Sequence, residues 1–169
     1  NVFLSSIDYS VPDQKFDAHI NGINQQLIER GYAFSAVDQS RAMDYFNSAQ
    51  VQEKENSILA LQNYRAAFFY YPISSKINYA LLEAYFKLED FQSAYQQAIY
   101  LSKIEAVPAR KKLRILIHIS LEANEFNATK MHCEDYLKLF PEDQLIQEIY
   151  SRLLSNDQVE ELKYLFRRR

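Results

Sequence analysis

Glycine and proline are scarce, with two and four in 169 residues. Glycine supplies the positive φ of tight strand turns, and proline punctuates irregular chain. So little of either disfavours an all-β fold and favours helices joined by short connections. A single cysteine, Cys133, excludes an internal disulfide framework and a multi-cysteine metal site. No run approaches the roughly 18 apolar residues of a membrane helix. A strong charge of one sign is also missing. The net charge is −3, and residues 1–40, 41–108, 109–141 and 142–169 carry −3, −1, +2 and −1. Such a chain has no broad electrostatic source of non-specific nucleic-acid affinity. The basic bias is confined to the start of the 109–141 segment and to Arg167, Arg168 and Arg169. The first residue is Asn rather than Met. This leads us to expect a processed protein or an excised domain, soluble, cytoplasmic or periplasmic, from a longer or membrane-anchored protein.

Hydrophobic residues make up 48% of the chain, enough for a real core. They recur at helical spacing, i, i+3, i+4, i+7. The clearest stretch is 76–104, where two helical patterns meet at Glu89-Asp90. Tyr79, Leu81, Leu82, Tyr85, Phe86 and Leu88 mark the first, and Phe91, Ala94, Tyr95, Ala98, Ile99 and Leu101 the second. Asp90 is placed to cap the second helix. Upstream, residues 1–11 read as an irregular lead-in, and a helix is expected from Pro12 to Gly31. Further helices are expected over about 38–52 and 57–70, the latter capped by Asn56 or Ser57 and closed by Pro72. Downstream, Pro108 opens a helix with Leu113, Leu116, Ile117 and Leu121 on one face. Others are expected over 126–140 and 142–154, the second with acidic residues in its first turn. A last helix to Phe166 is expected behind an Asp157–Glu160 capping box.

Superposing the hairpins reveals a period. Ala60, Ala94 and Thr129 fall at intervals of 34 and 35. Tyr64, Ala98 and Cys133 follow four residues later, and Ala67, Leu101 and Tyr136 three after that. Pro72 and Pro141 close their units, and Phe91 and Phe126 match just after each turn. This pattern resembles the tetratricopeptide repeat family, W-x2-L-G-x2-Y, then A-x3-F, then Pro, over about 34 residues. Asn78, Leu81, Leu82 and Tyr85 fill the first part, and Ala60 and Tyr64 fit the second. The departures are an absent Trp, Leu82 and Ile117 in the glycine slot, and a one-residue shift that places Ala49 in the small slot of the first repeat.

The resemblance implies an all-α fold: a right-handed α-solenoid of antiparallel helix pairs, with N-terminal helices and a C-terminal capping helix. Residues 1–40 would pack on the array. Three repeats would span about 41–74, 75–108 and 109–142, with capping helices over 143–169. The implied function is a non-enzymatic protein–protein interaction scaffold or adaptor, holding a partner peptide or helix in its concave groove. The groove would be lined by Tyr45, Ala49 and Gln52, then by Lys76, Tyr79, Glu83 and Phe86, and then by Arg110, Arg114 and Ile117. An acidic partner touching Arg110, Lys111 and Arg114 suits that end; a solvated basic first turn is the plainer reading of those cations. One subfamily grips a C-terminal carboxylate through Lys, Asn and Arg in three repeats. Only Arg110 and Arg114 resemble it, since Tyr45, Ala49 and Ala80 occupy the other places. The alternative function is a constitutive structural subunit of a larger secretion or envelope assembly. A repeat of similar length that reads RNA is a further rival, disfavoured by the acidic balance.

Other candidates have plainer readings. His118, His132 and Cys133 could suggest a metal or a Cys–His nucleophile, but a closed zinc site wants about four ligands. Adjacent His132 and Cys133 point to different helix sides, and Cys133 falls in a repeat-packing slot. His19 reads as a surface residue. Glu89-Asp90, Glu142-Asp143 and Glu160-Glu161 sit at helix starts, where capping and the dipole explain them. There is no glycine-rich phosphate loop, G-x-S-x-G elbow or H-E-x-x-H. We therefore expect no catalytic residue, cofactor or metal, and no nucleic-acid partner. The run Phe68-Phe69-Tyr70-Tyr71 cannot bury all four rings on one helix. Phe68 and Tyr71 are expected inward, with Phe69 or Tyr70 left as a contact patch.

Overall fold

A computed structural model describes residues 36–104, 107–156 and 159–167. The expected 12–31 helix, His19 and Asp157 lie outside the described residues. Among the described residues the fold is all-α, with eight helices and no strand. These are α1 (Ala36–Gln52), α2 (Ser57–Tyr70), α3 (Ser75–Lys87), α4 (Phe91–Ser102), α5 (Ala109–Glu122), α6 (Phe126–Leu139), α7 (Gln144–Ser155) and α8 (Val159–Arg167). The described residues divide into two compact units, one ending at Ile104 and the other following it.

Side-chain caps fix the starts of four helices. The N–H groups of Leu59, Ile77, Ser93 and Ile146 donate to the side chains of Asn56, Ser74, Asp90 and Asp143, satisfying donors that the helix itself leaves free. The acidic pair Glu142-Asp143 thus precedes α7 rather than filling its first turn, and Asp143 is the cap. Two helix ends share one device. After α3, the Glu89 N–H donates to Phe86 O and the Asp90 N–H to Tyr85 O. After α5, the Asn124 N–H donates to Leu121 O and the Glu125 N–H to Ser120 O. Glu89 and Asn124 take φ of 58° and 61°. This is the Schellman motif, and it reverses the chain within two residues.

In the first unit, α1 and α2 run antiparallel. Tyr45 stacks on Tyr70 at 5.8 Å, and the Tyr64 hydroxyl donates to Glu53 at 2.6 Å. α3 and α4 repeat the arrangement, pinned by Gln97 donating to Asn78 Oδ1 at 2.6 Å. The Asn78 amide in turn donates to Pro72 O at 2.7 Å and Ser74 O at 2.8 Å, so this buried side chain is satisfied. α3 runs alongside α1 in the same direction. Lys76, near its start, lies 4.8 Å over the Phe46 ring, and Lys87, its last residue, lies 3.9 Å from Glu53. Buried alanines at 42, 49, 60, 67, 94 and 98 let these helices approach closely, and Phe46, Tyr64, Leu81 and Leu101 fill the space between. Phe68 is buried edge-on against Tyr100, while Phe69, Tyr70 and Tyr71 are half-buried.

In the second unit, α5, α6 and α7 enclose a core of Ile117, Leu121, Cys133, Tyr136, Ile146 and Ile149. The short helix α8 packs on α5 and α7. Lys163 donates to Asn124 and Phe166 stacks on His118, an order that sets α8 antiparallel to α5, while the Arg167 side chain reaches back to Glu122. Among the described residues, no helix is long and apolar enough to cross a membrane.

Candidate functional site

The first turn of α5 is unusual for a helix start. It holds Arg110, Lys111 and Lys112, and its cap residue, Pro108, makes no side-chain cap bond. Cations at the positive end of a helix dipole are disfavoured, so local propensity did not place them there. They continue as a stripe. Arg110, Arg114 and His118 are spaced by four residues, so they share one face of α5. Together with Ile115 and with Phe166 of α8, they border a shallow pocket of about 440 Å³. Its rim is cationic, and its floor offers aliphatic and aromatic surface.

One carboxylate organises the rim. Asp143 Oδ2 accepts from the Tyr136 hydroxyl at 2.7 Å and from Arg114 at 3.0 Å, and lies 3.6 Å from Arg110. Arg110 also donates to the Tyr136 oxygen at 3.0 Å and lies over the Phe140 ring. Burial alone would raise the Asp143 carboxyl. The bonds from Tyr136 and the Ile146 N–H, with the two guanidinium groups, outweigh it and hold the carboxyl below the usual range. Two guanidinium charges therefore meet one internal carboxylate, and the rim keeps a cationic excess. Both arginines remain reachable, their side chains 55% and 35% exposed.

A second ion pair closes the far end of the stripe. Glu122 is almost fully buried, and Arg167 grips both its oxygens at 3.0 and 2.9 Å. His118 Nε2 lies 3.8 Å from the same carboxylate. Burial lowers the His118 pKa more than Glu122 raises it, and Arg167 lowers it further, so the imidazole is neutral at physiological pH.

The expected groove residues divide between the units. Tyr45 is partly exposed on its Tyr70 partner, and Gln52 accepts from Asn63. Lys76 covers Phe46, Glu83 is exposed, Tyr79 is half-buried, and Phe86 packs edge-on against Phe91. Ala49 is fully buried, a packing residue of α1. In the second unit Arg110 and Arg114 are brought together through Asp143. Ile117 is not with them: it lies wholly inside the core and offers no surface. Residue 117 lies about 100° around the helix from His118, and there the core cluster covers it. Lys111 joins Arg110 and Arg114 as expected, whereas Ile115, His118 and Phe166 are the members that sequence reasoning did not collect. An i+4 count from Arg110 reaches His118, but nothing local in the sequence brings Phe166 to it.

Cys133 is buried in the core, and burial pushes its thiol up to about 12, so it carries no thiolate at neutral pH. Among the described residues, no group of three or more His, Cys, Asp or Glu side chains is placed to hold a metal ion. Comparison with protein-family models, with curated proteins and with solved structures found no match for this chain.

Proposed function

We propose that the chain is a polypeptide-docking module: a right-handed, tetratricopeptide-like solenoid of hairpins that receives a partner peptide or helix and performs no chemistry of its own. The observation that carries this reading is the α5 stripe, where a cationic rim borders a pocket with an apolar floor. Interfaces draw their anchoring energy from such juxtapositions of Arg and aromatic surface. The same-direction alignment of α3 with α1, and the shared turn device after α3 and α5, support repetition of one hairpin design. The cationic excess favours an acidic partner, because complementary potentials steer encounter and fix register. The test is a fluorescence-anisotropy titration with a labelled peptide of alternating leucine and glutamate. Arg114→Ala is expected to weaken binding at least fivefold, and Tyr79→Ala measures the share of the first unit. Equal affinity of the wild type and Arg114→Ala would remove α5 as the working surface.

A second reading, a constitutive subunit of a larger assembly, is favoured by a different feature. Val51 and Ile58 are 76% and 64% exposed around the α1–α2 connection, with Leu59 beside them. Exposed aliphatic side chains gathered at one turn suit a permanent contact. Val51→Asp with Ile58→Asp should then release a co-purifying subunit while leaving the peptide titration unchanged.

A further inference from the structure

We infer that α8 is an internal occupant of the docking stripe on α5, held where a more complementary partner helix binds. The inference rests on the docking reading above and adds the chemistry of the ligand. The ligand is an amphipathic helix that presents leucine, phenylalanine and arginine as α8 does and then turns acidic.

α8 has the contacts of a bound ligand. It inserts Leu162, fully buried, into the core cluster and stacks Phe166 on His118 at 4.6 Å. Its Arg167 meets Glu122, a carboxylate only 1% exposed. A buried carboxylate without a cation is costly, so this position on α5 is built to receive an arginine from a helix laid across it. α8 has nine residues, too few for a stable helix alone. Leu162 is its one fully buried side chain, and Val159, Leu165 and Phe166 are partly buried against the same core. A competing helix that supplies the same leucine, phenylalanine and arginine replaces the contacts it displaces.

The stripe extends past α8. Because α8 runs antiparallel to α5, the direction beyond Phe166 leads to the pocket bordered by Ile115, Arg114, Lys111 and Arg110. α8 itself meets the His118–Glu122 half of the stripe, and the cationic rim at Arg110 and Arg114 lies beyond those contacts. A helix that keeps the leucine, phenylalanine and arginine but continues with glutamates would match both halves.

Two labelled peptides test this on the full chain: VEELKYLFR followed by four glutamates, and VEELKYLFR followed by four lysines. The glutamate peptide should bind at least tenfold more tightly than the lysine peptide. Leu162→Ala and Arg167→Ala, which loosen α8, should each raise its affinity at least threefold, and Arg114→Glu should erase the preference between the peptides. Hydrogen exchange reads displacement directly: saturating glutamate peptide should strip protection from the amides of 159–167. Binding with that protection intact, or with affinity unmoved by both loosening variants, would overturn the inference and leave the docking reading standing. Failure of every variant to bind the glutamate peptide would also overturn it, and the leucine–glutamate titration would then judge the docking reading separately.

Discussion

Two side chains connect local bonding to measurable stability. Asn78 is fully buried, and its amide serves Pro72 O, Ser74 O and Gln97 at once. Asn78→Ala strands Pro72 O and the Gln97 amide, while Ser74 O keeps the bond from the N–H of residue 78. The expected loss is about 2 kcal/mol by urea unfolding, with Gln97→Ala adding little on top because both act in one network. A loss under about 0.5 kcal/mol would mean that water replaces the amide. Asp143 sets a pH dependence. Its folded carboxyl titrates below the unfolded value, so its contribution is fully present above about pH 4. That contribution is lost as pH falls through the folded value, where the protonated carboxyl no longer holds Arg114 and Arg110. Stability measured between pH 6 and pH 2 should fall more steeply in the wild type than in Asp143→Asn. Parallel profiles would show that the carboxylate is not what binds the rim together.

At the scale of the helix, the turns after α3 and α5 decide where each hairpin folds back. Both are Schellman ends, but one places Asn124 in the left-handed region and the other Glu89. Asparagine tolerates that region; a glutamate there carries a Cβ penalty. Glu89→Gly should therefore stabilise the chain by about 1 kcal/mol despite the greater freedom of glycine when unfolded. A drop in melting temperature would show that the Glu89 side chain does something the backbone argument omits. The positions of these turns were legible in the sequence, as were the caps at Asn56 and Asp90, because each is written in two or three adjacent residues; the caps at Ser74 and Asp143 were not. Inward positions were legible from helical spacing too: Ala60, Ala94 and Thr129 are all buried, as are Tyr64, Ala98 and Cys133. The site was legible only in part. Arg110 and Arg114 stood out as a basic pair, but their carboxylate lies 29 residues beyond Arg114, and Arg167 is 45 residues from Glu122. Helical period shows that α8 has an apolar face, yet it does not say which surface receives that face. Ile117 fell to the same gap: a spacing of three or four leaves two candidates after Arg114, and only packing tells core from rim.

For the molecule as a whole, the net charge is −3 while α5 opens with four cations among its first six residues. An acidic ligand thus meets a chain that repels it on average and attracts it at one place. Repulsion and attraction are screened differently. Charges farther apart than about 8 Å are largely screened at physiological salt, so the distant acidic residues matter little there. Contacts at the rim persist until salt reaches them directly. Affinity for a glutamate-bearing peptide should therefore fall about tenfold between 0.05 and 0.5 M salt, mostly through slower association. Arg110→Glu with Arg114→Glu takes the net charge from −3 to −7 and inverts the rim while leaving the pocket floor in place. In that variant the peptide should associate at least tenfold more slowly, and added salt should now help rather than hinder. Stopped-flow association at two salt concentrations separates the possibilities. If the double variant kept the salt dependence of the wild type, attraction would have to arise elsewhere on the surface, and the α5 stripe would be only a solvated helix end.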